Sequence, residues 1–397
     1  MTALDRHDSS GVGQLPNGAV LPPQAQDEVK TSVVDSTPMH PQDLRFVGLF
    51  DPRSPRLQLI AGDASDRKFF RCREGDASFI CMQFPSWRGG YGGDPLSWLG
   101  MHHVLEQWRL PVPAVVHVDE SNACIWTTDL GDHFLNRDLG SLPFDARRPE
   151  HHKTFTQYQE ALKLLIAAQY PMVHGELQHP AKNRFFDQEK LLFELNFFGE
   201  HFLQGLLECE IPESLRQEWL GLATEIAKFE PVLCHRDYHA RNLMVCNDAV
   251  HWIDFQDARL GPHLYDVVSL LRDSYVRFHP DTREQLFQDY FGYLNQARVA
   301  NGKDPMTAAG FHRERLMVGL QRNIKALGSF AYLFRIKGKK VYLSFVCHTV
   351  DLILAESKAS EMAVRYPATF RLLDALASGK EGDRFRALTA QQGIDHF

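Results

Sequence analysis

The sequence contains no run of about 18 apolar residues, the length a helix needs to cross a bilayer, so no membrane span is expected. Positive charge is not in excess: 43 Lys and Arg stand against 50 Asp and Glu, a net charge of −7. That balance disfavours nonspecific nucleic-acid binding, which needs a basic surface. Cysteine is sparse, with seven scattered at positions 72, 81, 124, 209, 234, 246 and 347. Most lie in apolar runs, where cysteine packs as a small hydrophobe, so a reducing cytoplasm and no disulfide framework are expected. Cys234, His235 and His239 could contribute to a zinc site. No CxxC or HExxH accompanies them, however, and zinc would leave the neighbouring aspartates idle. Residues 1–18 lack an apolar core and do not read as a signal peptide. Internal repeats and heptads are missing as well.

The 397 residues, 44% hydrophobic and 23% charged, are enough for two lobes with separate cores. Residues 1–40, rich in Pro, Gly, Ser, Asp and Gln without periodicity, are expected as a mobile tail. Leu44, Phe46, Val47 and Leu49 suggest a short helix over residues 41–50. Short apolar runs then predict strands at 57–60, 68–72, 78–84, 114–118 and 124–128, with a helix over 95–108. Beyond Thr128, apolar residues recur at three and four, and helices are expected at 154–169, 184–208, 215–229 and 313–340. Glu194, Asn196 and Glu200 could line a substrate cleft but are rather expected on a solvated helix face, and residues 378–397 are expected to fray.

The most informative stretch is VLCHRDYHARNLMVCNDAVHWIDFQDA, residues 232–258. Its three short apolar runs, broken by polar residues and an Asn247-Asp248 turn, read as strands. Asp237, Asn242 and Asp254 would then sit on the loop and strand ends of one small hairpin, free to converge. Two carboxylates and an amide carbonyl are hard oxygen donors and suit Mg²⁺ holding substrate phosphates. The order His235-Arg236-Asp237, Asn242, then Asp254-Phe255 is H-R-D-x-x-x-x-N with a metal aspartate, the pattern of a phosphoryl-transfer site.

On these residues the chain resembles the aminoglycoside/choline phosphotransferase family, which shares the protein-kinase fold, from about residue 45 onward. The resemblance implies Asp237 as the base or hydroxyl-orienting residue, with His235 beside it in the catalytic motif, and Asn242 and Asp254 as Mg²⁺ ligands for ATP. It places the turn at 61–67 over the nucleotide phosphates, with the Ser65 hydroxyl as a donor. Thr128, Asp129 and Leu130 fall at the hinge, whose backbone meets the adenine edge. The strings GDASDRKFFR and IDFQDA, followed by LGP and YD, resemble the branch of N-acetylmuramate/N-acetylglucosamine anomeric kinases of cell-wall peptidoglycan recycling. Asp257 is then expected near the metal or facing substrate, and Asp266 is expected to tether its helix to the catalytic loop.

One departure stands out. The third strand, Phe79-Ile80-Cys81-Met82-Gln83, carries no lysine, and the next helix has Trp98, Leu99 and Gly100 where a partner glutamate is expected. Losing both together is consistent, since either charge alone in a buried cleft would be costly. Arg67 and Lys68, with Arg71 behind them, are the candidate replacements. A basic stretch from Arg313 to Lys340, including Arg322 and Lys325, suits a neutral or anionic acceptor, or else forms a solvated helix face.

The expectation is therefore a two-lobed α+β fold. A tail (1–40) precedes a nucleotide lobe (41–128) with a small antiparallel sheet and one helix, and a mainly helical catalytic lobe (129–397) follows. The expected partners are a nucleotide and a small amino sugar, with no nucleic acid, membrane or obligate protein partner. Rival acceptors are an aminoglycoside, choline or a homoserine-like alcohol. A nucleotide-binding pseudokinase is the rival of another class.

Overall fold

The computed structural model describes residues 51, 54, 56–60, 67–87, 94–140, 142–171, 179–357 and 360–395. The expected tail, the helix at 41–50 and Ser65 in the phosphate turn lie outside the described residues. The chain first forms a five-stranded antiparallel sheet. Its strands are β1 (Leu57–Ile60), β2 (Lys68–Glu74), β3 (Ala77–Gln83), β4 (Val115–Asp119) and β5 (Cys124–Thr128), in the order β1-β2-β3-β5-β4. Strand side chains alternate between faces. In register, Phe70 faces Cys81 and Cys81 faces Trp126, so one face gathers a core of Phe70, Cys72, Cys81, Cys124 and Trp126.

Helix α1 (Pro95–Gln107) starts where Asp94 accepts the Ser97 N–H at 2.6 Å and Pro95 takes the first position, which needs no donor. Trp98, standing where a glutamate was expected, packs at 5.1 Å on both His102 and Phe255. Aromatic contact thus couples α1 to the residue after Asp254 without an ion pair.

The second lobe opens with α2 (His152–Gln169), then α3 (Gln188–Phe198), which runs on through a π-helical turn, Gly199–Gln204. Next come α4 (Glu213–Ile226), β6 (Pro231–Cys234), β7 (Leu243–Cys246), β8 (Ala249–Trp252) and β9 (Arg259–Pro262). The rest is helical: α5 (Tyr265–Leu271), α6 (Pro280–Ala300), α7 (Ala308–Arg335), α8 (Val346–Ser357), α9 (Glu361–Arg365), α10 (Pro367–Ser378) and α11 (Lys380–Gln391). Strands β7 and β8 pair around Asn247 and Asp248, whose φ angles of 51° and 65° give the left-handed turn a tight hairpin requires.

Two expectations need correction, and a third is met in part. Strand β6 does not join that hairpin but pairs with β9, Cys234 facing Arg259. Two ribbons, not one, therefore carry the motif residues. The basic stretch from Arg313 to Lys340 is a solvated face only in part, with Arg313, Arg335, Lys337 and Lys340 exposed. Arg313 pairs with Glu225 and Arg315 with Glu284, Arg322 is buried, and Leu320, Ile324 and Leu327 bury α7 on several sides. Finally, Lys380–Gln391 does not fray: it forms α11, which buries Phe385 against Phe202, ring centroids 5.9 Å apart. Among the described residues no helix is long and apolar enough to cross a membrane.

Candidate active site

The loop between β6 and β7 is fixed at several of its backbone donors. Asp266, fully buried at the start of α5, accepts the His235 N–H at 2.6 Å and the Arg236 N–H at 3.0 Å. Burial pushes its carboxyl up to about 7, against the pull of those two donors. Asp273 accepts the Ala240 N–H at 2.9 Å, and the Tyr238 hydroxyl donates to Ala161 O on α2 at 2.7 Å. Arg236 adopts φ 84°, a left-handed conformation disfavoured for a side-chain-bearing residue and tolerated only where the surroundings enforce it. Asp254 is held likewise at φ 62°.

These anchors bring the expected residues together. The Asn242 amide donates to Asp237 O at 2.9 Å. Asn242 O accepts the Ile253 N–H at 3.1 Å, and Ile253 O takes the His235 Nε2 proton at 2.9 Å. The segments bearing Asp237, Asn242 and Asp254 are therefore laced side by side. His235 is 2% exposed, with its ring edge-on to Tyr238 and Trp252. That placement fits a residue that positions the loop, not one that touches substrate, and burial holds its imidazole below the usual range.

Asp237 presents a side chain 30% exposed, with Lys325 Nζ 3.0 Å from its Oδ1. Burial opposes ionisation, but the charges of Lys325 and Arg236 outweigh it and hold the carboxyl well below the usual range. Lys325 was legible only as one member of a basic run; its partner lies 88 residues away. Arg67, 9% exposed along its side chain, donates to Asp254 Oδ1 at 2.6 Å, and the Gln256 amide donates to the same oxygen at 3.0 Å. Lys68, by contrast, is exposed, so of the two ranked replacements only Arg67 reaches the cleft. Arg71 is committed elsewhere: its guanidinium binds Asp129, Asp132 and Gly131 O, tying β2 to the segment after β5.

The hinge residues have mixed fates. The Thr128 N–H donates to Ala114 O at 2.9 Å and its Oγ1 accepts the Ala114 N–H at 3.0 Å. The Asp129 carboxylate accepts from Ser78 at 2.5 Å and from Arg71, while Leu130 lies beyond the last β3–β5 pair, Phe79 with Thr128. Asn196 and Glu200 are exposed as expected, but Glu194 is 3% exposed and accepts from Gln321 at 3.1 Å. Asp257 sits 3.5 Å from the Arg236 guanidinium.

The chain is similar to known proteins. A model of the phosphotransferase enzyme family matches residues 56–300. An N-acetylmuramate/N-acetylglucosamine kinase from Neisseria meningitidis serogroup B is 32% identical over 305 residues, covering 74% of this chain and 83% of that protein. A protein of the same name from Pseudomonas aeruginosa is 30% identical over 298 residues, covering 74% and 81%. Among solved structures, a choline/ethanolamine kinase family protein from Mesorhizobium loti aligns with a TM-score of 0.51 at 14% identity, covering 88% of this chain and 99% of that one. That likeness speaks to the two-lobed kinase-like fold. With the match running from β1 to the end of α6, the chain belongs to the phosphotransferase enzyme family.

Proposed function

We propose that this phosphotransferase carries the γ-phosphate of ATP to the anomeric hydroxyl of N-acetylmuramate or N-acetylglucosamine, giving the sugar 1-phosphate. The names of its relatives support the acceptor class. The observation that carries the chemistry is Asp237, held ionised by Lys325 on a loop laced to Asn242 and Asp254. We assign the nucleotide to the sheet lobe up to residue 128 and the acceptor to the helical lobe from 129 on. The backbone of Asp129 and Leu130 meets the adenine edge in this reading. A cytoplasmic setting follows from the need for ATP.

Asn242 and Asp254 would hold a divalent cation, Mg²⁺ in our reading. The donor set fits: both offer hard oxygens, and Arg67 and Gln256 engage Asp254 through Oδ1, leaving Oδ2 for the cation. Bound there, the cation supplies charge neutralisation for the β- and γ-phosphates. Arg67 adds a second positive charge in the place of the missing third-strand lysine. Asp237 accepts a hydrogen bond from the acceptor hydroxyl and aims its oxygen at the phosphorus. A carboxylate of depressed pKa is a weak base, which suits a loose transition state in which positioning outweighs proton abstraction. An anomeric hydroxyl, more acidic than an ordinary alcohol, releases its proton to such a base most readily. His235 fixes the loop that carries Asp237.

The test is incubation of the full chain with ATP, Mg²⁺ and a panel of N-acetylmuramate, N-acetylglucosamine, choline, homoserine and an aminoglycoside, with products read by ³¹P–¹H NMR. Phosphate on the first ring carbon is expected, with kcat lowered about 10²- to 10⁴-fold in Asp237→Asn. Transfer to the aminoglycoside but to neither amino sugar would overturn the acceptor assignment. Unchanged turnover in Asp237→Asn would remove the mechanism.

A further inference from the structure

We propose that Lys190, Arg236 and Arg259 form a carboxylate subsite beside Asp237, which recognises the lactyl carboxylate that distinguishes N-acetylmuramate from N-acetylglucosamine. The proposal rests on the sugar-kinase reading above and names the acceptor group that the site discriminates.

Helix α7 sets the scale. Gln321 and Lys325 are four residues apart on one face of it, about 6 Å along its axis. Gln321 holds Glu194 at 3.1 Å and Lys325 holds Asp237 at 3.0 Å. Glu194 on α3 is therefore about one helical turn from the carboxylate assigned to the acceptor hydroxyl, a span comparable to a sugar ring. Lys190, one turn earlier on α3, lies 3.6 Å from Glu194 Oε1, and its side chain is one-quarter exposed. On the other flank Arg236 precedes Asp237, and its left-handed backbone accompanies a guanidinium 3.5 Å from Asp257.

Arg259 completes the group. Its place on β9, opposite Cys234, sets it beside the same loop, and its guanidinium lies over the Phe186 ring at 5.1 Å. No carboxylate of the described residues stands within ion-pair distance of it, and its Nε, like that of Arg236, is buried without a hydrogen-bond partner. Burial and then the charge of Arg236 lower the Arg259 pKa, with Glu194 and Asp257 opposing the shift from beyond ion-pair distance. Burial also lowers Lys190; Glu194 opposes the shift, and Arg236, Arg259 and Lys325 add to it. A part-buried arginine with no paired carboxylate is unfavourable. An anion arriving with the acceptor relieves that, and a planar carboxylate matches the fork of an arginine. N-acetylglucosamine, which lacks the lactyl group, would enter without this gain.

The experiment compares kcat/KM for N-acetylmuramate, its methyl ester and N-acetylglucosamine in the wild type, Arg259→Gln and Lys190→Gln. The expected result is a fall of about tenfold or more in the N-acetylmuramate to N-acetylglucosamine ratio in Arg259→Gln, carried by KM. The methyl ester should show a similar loss in the wild type. Lys190→Gln, on a part-exposed helix position, makes the same test should Arg259→Gln not fold, and the ester needs no variant. A wild type that phosphorylates both sugars, with the ratio unmoved in the variants or the ester as good as the acid, overturns the subsite. A wild type that phosphorylates neither sugar overturns the functional reading and the subsite with it.

Discussion

Arg67 and Lys68 are neighbours in sequence with opposite surroundings. Arg67 lies near the Phe69 and Phe84 rings, at 5.7 and 6.0 Å, and reaches Asp254, whereas Lys68 is exposed at the start of β2. The two substitutions should therefore separate. In steady-state kinetics, Arg67→Gln should raise KM for ATP about tenfold, the scale of one charge-assisted contact, while Lys68→Gln stays within about twofold of wild type. Equal effects would mean that Arg67 is not the cation replacing the third-strand lysine. Sequence alone ranked the pair together because a strand's first residues carry no mark of which way they face. Asp237, Asn242 and Asp254 were legible for the opposite reason: they sit within one short segment, at a spacing set by one loop and one hairpin. Lys325 and Glu194 were not, because each acquires its meaning from a partner on another element, Asp237 for one and Gln321 for the other.

At the scale of the element, the α3–α7 crossing does much of the positioning. A Cβ added at Gly328 would lie 2.7 Å from the Cα of Phe198, so only glycine lets the two backbones approach this closely. The same crossing presents Gln321 and Lys325 to Glu194 and Asp237. Gly328→Ala should destabilise the fold by about 1–3 kcal/mol in urea denaturation, despite alanine's higher helix propensity. A neutral or stabilising result would show that the helices move apart freely. The sequence marked this region only as a basic helix, since the acidic partners of Arg313 and Arg315 come from α4 and α6. A charge pattern on one helix cannot say whether it faces water or another helix's carboxylates.

Across the whole molecule, His179 joins α1 to the helical lobe. Its Nδ1 accepts the Ala181 N–H at 3.0 Å, so the ring is neutral with its proton on Nε2, directed at Ser97 O 3.3 Å away. Burial, reinforced by the nearby charge of Arg184, depresses its pKa from 6.5 to about 4. A depressed folded pKa means that the unfolded chain takes up the proton first. The contribution of His179 is therefore complete above pH 6.5 and is lost as pH falls from there to about 4, by about 3 kcal/mol at most. His179→Gln should be less stable than wild type at pH 7.5, with the gap narrowing towards pH 4 in thermal melts. A gap independent of pH would show that the ring is not held neutral. By itself the sequence determined the strand and helix alternation and, through the resemblance its one motif segment carries, the kinase-like class, because periodicity and short-range spacing are local properties. Tertiary structure alone decided that β6 pairs with β9, that Trp98 packs on His102 and Phe255, and which cations face Asp237 and Asp254. Those choices depend on burial and on partners far along the chain, where the energy of a charge is set by what surrounds it.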